Sequence, residues 1–453
     1  MKQQSNRPNI LLITSDDLGQ HLGCYGIETV DTPNIDRLAS GGVRFARSFC
    51  AAPQCSPSRA ALATGRHPHS NGVMGLTHAD FAWDLHEGEV HLARHLADAG
   101  YHTARTGKVH DYRSGEANHR ANGFAETLTP EGAEAEPDAR AIRLARRASR
   151  FLDDRAGDAQ PFYLQLDIVE PHRDPRHPTQ FYATHLPARS EVTVPPHLRD
   201  DEAAREEMAF FEASVRTLDT AVGEVLEALE SHGLAQSTLV LFTADHGIPF
   251  PRAKCSLYDP GLQIPMILRW PEGPLEAGHT SDALVSNVDC LPTLLELLGL
   301  DAPAGIQGQS FAPALGGSDW TGRDAVFAEM TYHEYFDPVR AIRTDRHKLL
   351  VNFSNAPSFM DPSQQWRSRT TPQVPAEPPL AYHPVVELYD LAADPHEREN
   401  LADDAAHSDT RQKLLRRLHE WMSETSDPLL EWGPLSPMHR RALDTLRDAG
   451  NGR

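Results

Sequence analysis

Cysteine is scarce in this chain of 453 residues, with only Cys24, Cys50, Cys55, Cys255 and Cys290. So few, in odd number and widely spread, they exclude a dense disulfide framework and suit a reducing compartment. Long apolar runs are missing too. No stretch approaches the ~18 consecutive apolar residues of a membrane span, and Met1 to Pro8 is polar, without the apolar core of a secretory signal. The expectation is a cytoplasmic protein that does not enter a membrane; an exported form would need a leader ahead of Met1. Positive charge is in deficit, since 43 Lys and Arg against 64 Asp and Glu leave a net charge of −21. That balance disfavours nucleic acid and anionic membrane as partners, although a local basic pocket is compatible with it. There is no internal repeat, Gly-x-Ser-x-Gly elbow, Walker loop or strand-following Gly-x-Gly-x-x-Gly. Solenoids, α/β-hydrolases, P-loop enzymes and dinucleotide-binding enzymes are thereby set aside.

What is present is ordinary globular material, 40% hydrophobic and 24% charged, long enough for one large domain and a smaller one. Asn9 to Thr14 is a continuous apolar run, as in a strand buried on both faces, and it ends in Ser15-Asp16-Asp17. Thr32 reads as the N-cap of a helix that Pro33 starts and Gly41-Gly42 stops. Helices are expected at Leu92 to Ala99 and Glu202 to Ser231, strands at Tyr101 to Arg105 and Pro161 to Ile168, and a surface loop with one helix within 113–160. Leu239 to Thr243 repeats the pattern of the first strand and runs into Asp245-His246-Gly247. Strands alternating with helices, each strand ending in polar residues, predict a mixed α/β sheet with a site at its C-terminal edge. After about residue 315 the alternation gives way to short strands at Ala325 to Ala328, Val339 to Thr344, Lys348 to Phe353 and Val386 to Tyr389, then a helix over Thr410 to Ser423. This predicts domains at 1–315 and 316–453, the second a small α+β unit of antiparallel sheet plus helix, with a Pro/Ser/Gln-rich loop at 354–384.

Cys55-Ser56-Pro57-Ser58-Arg59 sets a thiol ahead of a helix that Gly65 ends. Unpaired N–H groups and the positive dipole end lower a thiol pKa and attract anions there. Asp16, Asp17, Asp245 and His246 end two strands that could be neighbours, and their hard donors suit Ca²⁺, Mg²⁺ or Mn²⁺. Lys108 and His110 follow one strand, His172 and Arg173 another, and Lys254 lies beyond the Asp245 strand. Together they would surround a tetrahedral oxyanion with positive charge. Each group also has a bland reading: a structural cysteine, a turn-forming aspartate, a solvated loop. A cysteine hydrolase using Cys55 and a histidine would leave the four metal-ligand candidates unexplained.

These residues resemble the type I sulfatases of the alkaline phosphatase superfamily. Arg7-Pro8-Asn9-Ile10 through Asp17, Thr32 to Asp36, Cys-x-Pro-Ser-Arg at Cys55 to Arg59, Thr64-Gly65, Gly107-Lys108 with His110, and Thr243 to Gly247 occur in the family's order. Glu387 to Leu391 with Asp394-Pro395-His396-Glu397 and Asn400-Leu401 resembles the family's small subdomain. Within the family the likeness runs to the N-sulfoglucosamine sulfohydrolases, or sulfamidases. It rests on Gly247 to Pro251, Leu257-Tyr258, Pro171-His172-Arg173, His333-Glu334 before Pro338-Val339-Arg340, and Thr425 to Pro428. His246 stands where sulfamidases usually have Asn, Glu170 where Asp is expected, and Lys254 where Arg is usual.

The resemblance implies a large alkaline-phosphatase-like mixed sheet sandwiched by helices. It also implies that Cys55 is oxidised to formylglycine, whose hydrate attacks sulfur. Asp16, Asp17, Cys55 as its hydrate, Asp245 and His246 would hold a divalent metal, calcium first, with manganese or magnesium as alternatives. Lys108 and Lys254 would stabilise the transferring group and His172 would protonate the leaving group. His110 would help expel sulfate, and Arg59 would hold the diol. Glu170, Arg173, His333, Glu334 and Arg340 are the candidate sugar contacts. The implied partners are a sulfated sugar or other small sulfate ester, and a formylglycine-generating or radical sulfatase-maturing enzyme, with a homodimer left open. The rivals are a phosphonate monoester or phosphodiester hydrolase of the same superfamily, and a non-catalytic anion- or glycan-binding homologue with Cys55 unmodified.

Overall fold

Residues 7–78, 81–128, 140–174, 181–182, 186–317, 320, 322–356, 382–431, 433 and 436–450 are described by a computed structural model of the chain. Most of the expected 354–384 loop, residues 357–381, lies outside them. Among the described residues eight strands form the large sheet: β1 (Asn9–Ser15), β2 (Val43–Phe49), β3 (His102–Gly107), β4 (Glu126–Thr127), β5 (Phe162–Ile168), β6 (Thr238–Ala244), β7 (Met266–Arg269) and β8 (His279–Ser286). Their order is β4-β3-β5-β1-β6-β7-β2-β8. The pairs around β1 are parallel, while β7 runs antiparallel to β6 and β2, so the sheet is mixed.

The apolar runs of β1, β5 and β6 are buried along nearly their whole length, because helices cover both sheet faces. The register then decides where chemistry collects. Thr14 lies opposite Asp167 on one side and Thr243 on the other, and Ser15 opposite Ile168 and Ala244. Asp16 and Asp245 therefore emerge level with each other, with Asp16 N donating to Ile168 O at 3.1 Å and Asp245 N to Ser15 O at 3.0 Å. At the end of β3, Gly107 (φ 102°) permits an approach that no side chain would, since a Cβ there would lie 1.9 Å from Asp167 O. Lys108 N can in consequence donate to that oxygen at 3.1 Å, which aims Lys108 at the β1 edge.

The long helix Glu202–Ser231 has the expected bounds and is capped by Asp201, whose carboxylate accepts from Ala204 N. Thr32 does not cap the helix Pro33–Ser40 as expected. Its Oγ1 accepts from Gly23 N, and the helix start is met by Asp219 of the long helix, which accepts from Asn34 N and Ile35 N at 3.1 and 2.8 Å. A carboxylate at a helix N-terminus is the stronger acceptor.

The second sheet, in order β12-β11-β10-β9, is antiparallel: β9 (Ala325–Tyr332), β10 (Phe336–Thr344), β11 (His347–Asn352) and β12 (Val386–Asp390). Period-two alternation sorts its side chains. Val326, Ala328, Met330, Ala341, Leu350 and Tyr389 join the main core. Ala325, Ile342, Leu349 and Leu388 pack instead against Leu414, Leu418 and Trp421 of the helix Ser408–Glu424.

A buried ionic clasp locks this sheet to the segment that follows the Cys55 helix. Arg340 donates to Asp427 at 2.5 and 3.1 Å, to Met330 O at 2.9 Å and to Thr331 Oγ1 at 3.1 Å. Glu329 receives both the backbone N–H and Nδ1 of His69. Arg340 is 0% exposed, so it is not the sugar contact expected from the sequence. Asp427→Ala should destabilise the protein by ~3–5 kcal/mol in urea unfolding, because it strands a buried guanidinium. Burial raises the Asp427 and Glu329 carboxyls, but Arg340 and His69 outweigh it and hold both below their usual values. Their stabilisation is therefore full above the unfolded carboxylate value of about 4 and is lost as pH falls through the lower folded values.

Candidate active site

The helix Cys55–Thr64 is buried along its length and begins at Cys55 itself, so the thiol lies in the first turn rather than ahead of it. Pro57 sits in that turn as expected, and Gly65 closes the helix in the left-handed conformation. Asn287 fixes the helix by accepting from Ala51 N at 2.9 Å and donating to Ser58 O and Oγ at 3.0 and 2.8 Å. Ser58 Oγ in turn donates to Asp245 O at the end of β6. Gln54 Nε2 donates to Tyr332 O of β9 at 2.6 Å, so both sheets determine where Cys55 stands.

Imidazoles and ammonium groups surround the Cys55 sulfur. His246 Nε2 lies 3.5 Å away, and His110 and His172 stand close enough to favour its thiolate. Burial raises the thiol pKa, but Lys254, Lys108 and the bonds from His110 and His172 outweigh it and hold Cys55 well below the usual thiol value. Lys254 Nζ donates to Asp17 at 2.8 and 3.0 Å, and Lys108 Nζ donates to Asp16 at 2.6 Å. Burial and the charge of Lys108 push the His110 imidazole down to about 3, so it is neutral at ordinary pH.

Asp17, Cys55, Asp245 and His246, all buried, each bring one potential ligand atom within 4.8 Å of the others. Asp17 has φ 58°, a strained value for a side-chain-bearing residue, and its carboxylate lies 3.3 Å from His246 Nε2. His246 Nδ1 faces Gly247 O at 2.9 Å, so the proton sits on Nδ1 and Nε2 turns to the cluster, the tautomer a metal ligand requires. Burial and the adjacent Asp16 push the Asp245 carboxyl well above its ordinary range, against the pull of His246 and Arg59. Burial lowers the His246 imidazole, but Asp245, the Cys55 sulfur and Asp17 outweigh it and raise it to about 9. Two carboxylates and an imidazole converging in a buried cluster are a donor set that fits a divalent cation. Asp16 stands beside this group, with one oxygen on Arg59 NH2 at 2.7 Å and the other on Lys108.

Arg59 does not turn its guanidinium to Cys55. It donates to Thr14 at 2.6 Å, Asp167 at 2.9 Å, Asp16 at 2.7 Å and Asp245 at 3.3 Å. It is a positioning residue, tying the ends of β1, β5 and β6 together. Arg59→Lys keeps the charge but loses the fork. It should lower kcat by about 100-fold, and it should do so equally for fast and slow leaving groups, as read from initial rates.

Below this layer Asp167 also pairs with Arg105 at 2.9 Å, and Arg105 with Asp111 at 3.2 Å, both buried. Sequence reasoning missed Thr14, Arg105, Asp111 and Asp167. The available signal was a charge in the middle of an apolar strand, which cannot stay unpaired there.

The sulfatase family model matches residues 8–300, and that of the N-sulphoglucosamine sulphohydrolase C-terminal region matches residues 250–362. The chain belongs to the sulfatase family. Human N-sulphoglucosamine sulphohydrolase is 30% identical over 93% of this chain and 91% of that protein. Human arylsulfatase A is 31% identical over 87% of this chain and 83% of its own length. A solved structure bound to its substrate D-glucosamine-2-N,6-O-disulfate superposes with TM-score 0.70 at 22% identity, over 93% of this chain and 98% of that one, a likeness of fold. The protein is a sulfatase, an enzyme whose donor set suits a metal.

Two further expected sugar contacts are occupied elsewhere in this sulfatase. Arg173 is buried between the rings of Phe181 and Phe250, at 4.5 and 4.8 Å, and donates to Pro249 O at 2.9 Å. Glu170 is buried with its carboxyl turned to the backbone of Arg140 and Ala141 at the start of the helix Arg140–Arg155, and burial raises its pKa. His172 by contrast reaches the site, with Nε2 3.9 Å from Asp17 and Nδ1 on Arg173 O at 2.6 Å. His333 and Glu334 lie in the β9–β10 turn, with the His333 Nδ1 paired to Glu334.

Proposed function

We propose that this sulfatase removes sulfate from an N- or O-sulfated amino sugar, using Cys55 after its conversion to formylglycine and a divalent cation, calcium ahead of magnesium or manganese. The observation that carries the reading is the position of the Cys55 side chain. It shares a 4.8 Å cluster with Asp17, Asp245 and His246 and is flanked by Lys108 and Lys254. Asp17, Asp245 and His246 would hold the cation, with Asp16 beside them. The bound cation would supply Lewis-acid polarisation, and an aldehyde hydrate in place of the thiol would supply a hard oxygen nucleophile.

The chain's own residues account for the remaining steps. Lys108 and Lys254 place fixed positive charge around the transferring group, where charge accumulates in the transition state. His172 Nδ1 is held on a carbonyl that only accepts, so its proton traffic runs through Nε2 on the Cys55 side. His110, neutral and close to the residue 55 side chain, is suited to accept a proton from it. A maturing enzyme that oxidises Cys55 is a required partner of this reading. The N-sulfo preference draws support from the match to the sulphohydrolase C-terminal region over residues 250–362.

The test is hydrolysis of glucosamine N-sulfate, glucosamine 6-O-sulfate, an aryl sulfate and a phosphonate monoester by the purified protein. The expected result is a higher kcat/KM for a sulfated sugar than for the phosphonate by ~100-fold or more. Dominant phosphonate cleavage would overturn the assignment. Both matching family models are sulfatase models, so the phosphonate reading is not favoured.

A further inference from the structure

Lys254 stands in a loop held in a costly shape. The chain leaves β6 through Asp245-His246 and enters β7 at Met266, and between them Arg252 and Cys255 adopt φ 61° and 60°. Such left-handed values for residues with side chains persist only where the surroundings over-determine them. On one side Cys255 N donates at 2.8 Å to the carbonyl of Pro53, two residues before Cys55. On the other side the loop rests on the C-terminal sheet, through an ionic group that the chemistry above does not use. Lys348 of β11 is 0% exposed. Its Nζ donates to Leu257 O at 3.1 Å and lies 2.5 Å from Asp259 Oδ1 and 2.7 Å from Glu397 Oε1. Glu397 Oε2 accepts from Asp259 N at 2.6 Å, and Glu397 O accepts from the Arg252 guanidinium at 2.9 Å. Arg343 of β10 completes the group by donating to Asp259 Oδ2 at 3.1 Å.

We propose that Lys348 and Glu397 are positioning residues, which act on the reaction through Lys254. This rests on the role given to Lys254 above. The pair grips the loop at Arg252, Leu257 and Asp259, so Lys254 is held from both sides along the chain. Lys254 meets Asp17 with its ammonium at 2.8 and 3.0 Å. A lysine delivers a point charge on a flexible stem, so the charge is placed only as well as the backbone beneath it. Lys348 and Arg343 against Asp259 and Glu397 balance in charge, which lets the group stay buried. Burial raises the carboxyls of Asp259 and Glu397 and Lys348 opposes it on both, holding Asp259 below its ordinary value while Glu397 stays above its own. Apolar side chains could fill the same space at similar stability. What they could not do is hold Leu257 O and Asp259 N by directed bonds.

The experiment is a double-mutant cycle read from hydrolysis of an aryl sulfate by wild type, Lys348→Met, Lys254→Ala and the two together. Lys348→Met combined with Glu397→Gln is a second form of the first lesion, balanced in charge so that it folds where the single variant does not. Urea unfolding and the mass of the residue 55 peptide establish that each preparation is folded and equally matured. Lys254→Ala should lower kcat/KM about 100-fold, the loss of one charge-stabilising group. Either Lys348 lesion should lower it about tenfold, as a displaced group does. In the Lys254→Ala background the same lesion should cost no more than about twofold, because the group it places is already gone. A merely structural role would lower the rate by the same factor in both backgrounds, and that additive result would overturn the proposal. So would wild-type rates in folded Lys348→Met/Glu397→Gln. If Lys254→Ala itself keeps the wild-type rate, the role given to Lys254 fails first and the proposal with it.

Discussion

Cys55→Ala lowers kcat by on the order of 10⁴-fold or more on every sulfate substrate, while the unfolding midpoint stays close to that of wild type. The size follows from what remains. Lys108, Lys254 and the Asp17–Asp245–His246 group would still bind a sulfate, but nothing would attack it, and binding alone leaves only residual catalysis. The small stability change follows from how the Cys55 helix is held. Asn287, Ser58 and Gln54 fix it through their own hydrogen bonds, and none of them uses the sulfur. Cys55→Ser makes the sharper comparison. If the attacking group is an aldehyde hydrate, a serine hydroxyl cannot replace it, because it has no second hydroxyl to expel the sulfate. Serine should then give at most a single slow turnover.

Asp245→Ala has the second largest effect, a loss in kcat of roughly 10³-fold, the several kcal/mol that a Lewis-acid site supplies. Asp245 Oδ1 accepts from Asp17 N at 3.0 Å and His246 N at 2.8 Å, and Oδ2 accepts from Arg59. Its removal would take away a proposed ligand and release Asp17 N and His246 N, which it holds. Chelation should reproduce most of the loss in the wild type. Activity should return on adding Ca²⁺, Mg²⁺ or Mn²⁺, and the ion that restores the highest rate identifies the metal. Asp245→Ala should not recover with any of them at concentrations that saturate wild type. A chelated enzyme of undiminished rate would dismiss the cation from the mechanism.

The strand ends were legible in the sequence because burial on both faces leaves a plain signature. An apolar run such as Asn9 to Thr14 or Leu239 to Thr243 stops where polar side chains start, and parallel pairing brings such stops level. The bounds of Glu202–Ser231 and the antiparallel C-terminal sheet were legible for the same reason of period. Glu170, Arg173 and Arg340 were misread because the type of a charged residue does not say which way it points. Arg340 is claimed by Asp427, 87 positions away, and Arg173 by two aromatic rings. No local pattern reports either pairing.

The central claim is that Cys55 is a precursor, and the mass of the tryptic peptide containing residue 55, taken from protein of measured sulfatase activity, tests it most directly. The account predicts an aldehyde in place of the thiol, in a fraction that rises and falls with specific activity. An intact thiol throughout fully active enzyme would contradict it.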